Sequence, residues 1–114
     1  GDCGTALPLL FETKEQARKF VEDMASEGVN VSSPIDSGRH LYVNWSPVLE
    51  KRGAHHPKMD PYKRCGYKVE YAQDMCAKTL EYLARTVYIW TAVERSHEVL
   101  KDRIRIIRRV ANRL

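Results

Sequence analysis

Cysteine is scarce in this chain of 114 residues: Cys3, Cys65 and Cys76 are an odd set with no Cys-x-x-Cys spacing. That excludes a disulfide framework and gives no structural zinc motif. Such usage fits a reducing compartment, and a cytoplasmic location is expected. Long apolar runs are missing too. Nothing approaches the roughly 18 apolar residues that cross a bilayer, so no membrane partner is expected. No basic-then-apolar leader opens the sequence. Residue 1 is Gly, not Met, which reads as a cleavage scar on a segment of a longer protein. Phosphate-binding loops, dinucleotide fingerprints and Ser-centred elbows are all absent. The chain alone therefore does not read as a complete enzyme, and no catalytic residue is assigned.

What is present is an ordinary globular mixture, 43% hydrophobic and 30% charged. That apolar content argues against disorder. The length suits one domain over residues 1–114, able to bury roughly two-thirds of its unfolded surface. Charge is unevenly placed. Lys101 to Leu114 holds six basic residues and one acid, whereas the rest of the chain is close to neutral. The basic character thus belongs to one terminal segment. It suits nucleic acid, an acidic protein surface, a missing part of the same protein, or plain solvation. No aromatic residues interleave with these charges, which places nucleic acid last.

The pattern along the chain predicts small α and β elements. Thr5 to Phe11 reads as a strand, with Pro8 confining it to an edge or a bulge. Thr13 to Gln16 matches a capping box. Ala17, Phe20, Val21, Met24 and Ala25 then form one buried helical stripe, stopped at Gly28. Val29 to Val31 and Arg39 to Val43 are strand candidates, and a short helix is expected at Pro47 to Lys51. A second long helix is expected from about Ala72, with Met75, Cys76, Thr79, Leu80, Leu83 and Ala84 on its apolar face. A strand at Thr86 to Trp90 follows, then a last helix capped by Ser96. Leu100, Ile104, Ile107, Ala111 and Leu114 form that helix's expected apolar face, with Val99, Ile106 and Val110 flanking it. The fold class is α+β, a small three- to four-stranded sheet with helices mainly on one face.

Candidate sites cluster in the middle of the chain. As a strand, His40 to Trp45 would put His40, Tyr42 and Asn44 on one face, and Leu41 and Val43 on the other. Two rings and an amide suit a hydroxylated ligand, or simply a solvated face. Trp45 reads as a packing anchor. His55 and His56 are too few for a zinc set, so no metal is expected. A loop contact to substrate and a solvated pair both remain open. Lys63 and Arg64 beside Cys65 would activate a thiol, but no histidine–acid pairing supports a nucleophile there.

Several ordered stretches carry a resemblance. Gly1 to Phe11, Asp36 to Trp45, Tyr71 to Leu80 and Val87 to Ile89 resemble the C-terminal lobe of the DegT–StrS sugar aminotransferases. The nearest branch has a His-x-Tyr-x-Asn-Trp element and an Asp-Met-Cys helix start. The family departs from this chain after the last strand, where an Asn-Pro segment is replaced by Trp90 to Arg95. The resemblance implies a fold type I pyridoxal-phosphate enzyme that aminates a keto sugar or keto cyclitol. It also implies an N-terminal large domain holding the Schiff-base lysine and the cofactor, and a homodimer at full length. This chain would be the non-catalytic lobe, inactive and without cofactor by itself. By position, His40, Tyr42, Asn44, Trp45, His55 and His56 would line or support the substrate side. An exposed apolar patch is expected, with Leu7, Leu9, Phe11 and the basic last helix facing the other domain. The rival expectation is a free-standing binding module that uses the last helix on nucleic acid or an acidic protein.

Overall fold

The computed structural model describes residues 4–64, 68, 70–91 and 96–114. They divide into two compact units. Unit 1 joins Gly1–Ser37 to Lys78–Leu114, and unit 2 is the intervening Gly38–Ala77.

In unit 1, β1 (Ala6–Leu10) pairs antiparallel with β2 (Thr86–Trp90). Leu7 lies opposite Ile89 and Leu9 opposite Val87, so these four share one face. Pro8 lies opposite Tyr88, whose backbone N–H and C=O both bond Ser32 on the far side, at 2.7 and 3.0 Å. Tyr88 therefore turns its polar groups away from β1. The ladder asks nothing of Pro8's missing N–H, which would face the open edge. Ser32 forms a single bridge to Tyr88 and extends into no strand. The α+β class holds, but among the described residues the sheet has two strands, not three or four. Val29 is instead buried and Val31 half-buried beneath the helices.

Helix α1 (Lys14–Ser26) begins as its sequence dictates. The Thr13 hydroxyl accepts from Gln16 N, and the Gln16 side chain accepts from Thr13 N. Gly28 follows at φ +73°, the left-handed geometry that ends helices without a Cβ penalty. Ala17, Phe20 and Met24 are buried and Val21 is half-buried, while Ala25 is exposed and lies outside the stripe. The core joins those three to Val29, Val87, Ile89 and Val110. Fully burying one such large side chain is worth about 1.5–3 kcal/mol. Phe11 adds a ring contact to Phe20 at 5.1 Å between centroids. Arg85 ties the start of α1 to the sheet, donating to the carbonyls of Phe11 and Glu12 at 3.3 and 3.2 Å.

The helices lie on the Val87–Ile89 side of the sheet. The opposite face leaves Leu10 and Trp90 exposed. Leu7 is also exposed, whereas Leu9 and Phe11 pack against the core and do not form an open apolar edge.

Helix α5 (His97–Ala111) is capped by the Ser96 hydroxyl, which accepts from Val99 N. Its packed side runs through Arg103, Ile106, Ile107 and Val110. The expected face through Leu100, Ile104, Ala111 and Leu114 is exposed, and only Ile107 belongs to both. A charged residue, Arg103, occupies the inner stripe. Its guanidinium donates to Trp90 O at 3.1 Å while its stem lies along the core side.

Unit 2 is made of short turns. A 3-10 turn at Tyr42–Asn44 leads into α2 (Ser46–Leu49), and a second at Pro57–Met59 leads into α3 (Pro61–Arg64). The short helix predicted near Pro47 is therefore present, with proline in its first turn. The strand expected at Arg39–Val43 is not. Asn44 N bonds Leu41 O and Trp45 N bonds Tyr42 O, which curls the chain where a strand would extend it. Leu41 and Asp60 are the buried side chains among the described residues of this unit. Helix α4 spans Ala77–Ala84, starting five residues later than expected. Met75 and Cys76 precede it and are exposed, so Cys76 is a free surface thiol, not a core residue.

Candidate functional site

The segment from Arg39 to Trp45 is held by its own aromatic side chains. Tyr42 Oη donates to Gln73 O at 2.6 Å and accepts from Cys76 N at 3.1 Å. Trp45 Nε1 donates to Arg39 O at 2.7 Å, closing the loop on itself. Gly38, at φ +67°, supplies the left-handed turn that admits the chain. The indole ring stays half-exposed. Asn44 and His40 are exposed.

This changes the roles the pattern suggested. His40, Tyr42 and Asn44 do not share a strand face. Tyr42 is a staple whose hydroxyl is already engaged as donor and acceptor. Trp45 is an anchor by its N–H more than by its ring. His40 and Asn44 are the outward polar groups of a loop that two aromatic residues fix in place.

His55 and His56 are exposed. His56 Nδ1 accepts from Lys58 N at 3.2 Å and caps the Pro57–Met59 turn. Asp60 repeats the device for α3. Its buried carboxylate accepts from Tyr62 N at 3.0 Å and packs against Gly53, where any Cβ would overlap it. Among the described residues, no group of three or more His, Cys, Asp or Glu side chains is placed to hold a metal ion. Cys65, the thiol flanked by Lys63 and Arg64, lies outside the described residues.

Two clefts that no motif announced lie in unit 1. One, about 380 Å³, is lined by Arg18, Val21, Glu22, Ser33 and Asp36. The other, about 220 Å³, lies between the C-terminal end of α1 and the first turns of α5, beside Glu27, Val29, Asp102 and Arg103. Helical spacing alone signals Arg18 and Glu22 as neighbours, but nothing local announces the Ser33–Asp36 turn that meets them.

The basic helix is partly satisfied from within. Glu27, the last-turn cap of α1, takes a two-pronged contact from Arg109 and a third from Arg113 at 3.4 Å. Arg105 pairs with Asp102 at 2.8 Å. Phosphate contacts through Arg105, Arg108 and Arg109 would thus have to break two existing pairs. No helix among the described residues is long and apolar enough to cross a membrane. No protein-family model, curated protein or solved structure matches this chain.

Proposed function

We propose that the chain is the C-terminal lobe of a pyridoxal-phosphate aminotransferase acting on a keto sugar or keto cyclitol, with unit 2 as part of its substrate-side wall. The carrying observation is the stapled segment from Arg39 to Trp45, which falls on the His-x-Tyr-x-Asn-Trp element of the resemblance. A hydroxylated ligand is bound best by polar groups that need not be ordered on binding. Here Tyr42 and Trp45 pin the backbone, and the exposed amide of Asn44 and imidazole of His40 are presented from it. His55 and His56 contribute a second polar loop, ordered by the His56 cap.

The described residues do not fit a pyridoxal-phosphate site. Lys51 is ion-paired to Glu70 at 2.9 Å, Lys63 faces Asp60 at 3.7 Å, and Lys58 is exposed. None of the chain's eight lysines is buried, so none is a buried amine beside a phosphate cradle, and no step of the reaction is routed through this chain. In this reading the cofactor and its lysine belong to an N-terminal large domain, the full-length protein is a homodimer, and the compartment is the cytoplasm.

The test uses the full-length protein. His40→Ala and Asn44→Ala are each expected to raise KM or lower kcat by about tenfold, the scale of one good hydrogen bond to substrate. Cofactor absorbance should stay unchanged. Unaltered kinetics in both variants, or loss of bound cofactor, would remove these residues from the substrate wall.

A further inference from the structure

Helix α5 carries two apolar stripes side by side. One contains Ile106 and Val110 and packs on the core. The other runs through Leu100, Ile104, Ile107 and Ala111, in steps of four, three and four, and Leu114 keeps that spacing in the sequence just beyond the helix end. That is the spacing of a coiled-coil seam. Ile107 sits on the boundary, half-buried against the core, while Ile104 is 48% exposed, Leu114 39% and Leu100 38%.

The seam has one charged flank. Lys101 and Arg108 each follow a seam residue by one position and lie on the side away from the core. Among the described residues neither has a hydrogen-bond or ion-pair partner, in contrast to Arg105, Arg109 and Arg113, which are paired. The face is therefore an apolar strip at helix-pairing spacing, edged by two cations without counter-charges.

We propose that this face docks an amphipathic helix of a protein partner whose own apolar seam is flanked by Glu or Asp. The apolar spacing selects a helix, and the unpaired cations select the acidic flank. A second copy fits poorly in either direction. In an antiparallel pair Lys101 would meet the partner's Arg108, and in a parallel pair the opposite flank, Arg103 and Val110, is turned to the core and offers no acid to Lys101 or Arg108. Nucleic acid would leave the seam residues without an apolar partner. The inference is independent of the aminotransferase reading.

The test titrates the full chain with two synthetic three-heptad helices that have Leu along the seam. One has Glu at both flanking positions and the other has Lys, which also keeps each peptide from pairing with itself. The Glu helix is expected to bind at least about tenfold more tightly than the Lys helix, with a preference that weakens as salt rises. Ile104→Gln, at a half-exposed position that leaves the core intact, should abolish binding. Lys101→Glu with Arg108→Glu should reverse the preference. Equal affinity for both peptides, or no reversal, would overturn the proposal. So would self-association lost with Ile104→Gln, which would name a second copy as the occupant. Duplex DNA binding that survives Ile104→Gln but not the charge reversal would overturn it in favour of nucleic acid.

Discussion

Unit 1 and unit 2 are stabilised by different physics. Unit 1 is organised around seven buried apolar residues drawn from both ends of the chain. Among the described residues, unit 2 buries Leu41 and the carboxylate of Asp60; its other ties include side chains that bond backbone, from Tyr42, Trp45, His56 and Asp60, and the side-chain contacts Lys51–Glu70, Arg52–Ser46 and Tyr62–Tyr71. Each such bond adds about 0.5–1.5 kcal/mol net, whereas one large core side chain adds about 1.5–3. A region made this way opens at lower free energy than a packed core. It is also where binding groups are usually carried, on loops whose shape is set by a few directional contacts. The candidate substrate residues all fall in unit 2, and the proposed docking face falls in unit 1.

Three substitutions would break or sharpen that contrast. Phe20→Ala has the largest expected effect, about 3–5 kcal/mol, because it empties the centre of the core. Chemical denaturation should show it, with hydrogen exchange speeding at Met24 and Val87. Gly53→Ala comes next. The new methyl group would overlap the Asp60 carboxylate and disturb the cap of α3, at about 1–3 kcal/mol. Exchange should then quicken at Tyr62 while Met24 stays protected. Tyr42→Phe is the mildest, about 0.5–1.5 kcal/mol, read as faster exchange at Cys76 N. If either unit 2 variant accelerates the unit 1 amides by the same factor, the chain opens as one cooperative body and the contrast is lost.

Legibility in the sequence follows the same division. The Thr13 box, the Gly28 stop, β2 and the Ser96 cap are local signals read by local rules, and each stands in the structure. Helix α5 was legible as a helix but not in its orientation. Both of its stripes step by four and three, and Arg103 within the inner one disguised it as polar. Apolar spacing cannot say which stripe meets the core when a long cation snorkels along the packed side. The alternation of His40 to Asn44 misled for another reason. Alternation favours a strand, but over so short a run its weight is small and side-chain contacts override it. The hydroxyl and indole contacts that do so come from Gln73, Cys76 and Arg39. The candidate site was thus legible in its residue types and not in their roles.

The pairing of β1 with β2 also sets when the protein can fold. Phe11 and Arg85, which bond each other, are 74 residues apart, while the staple of unit 2 joins residues separated by 31 and 34. Contacts that close longer loops cost more chain entropy and form more slowly. During synthesis, unit 2 can assemble while the chain is still emerging. The unit 1 core waits for Val110, which is made after all of unit 2. Until then Phe20 and Met24 have no partners from the far end, and α1 presents its apolar stripe to whatever is nearby. A ribosome-bound intermediate of this chain should therefore be a chaperone client through α1, released when α5 arrives.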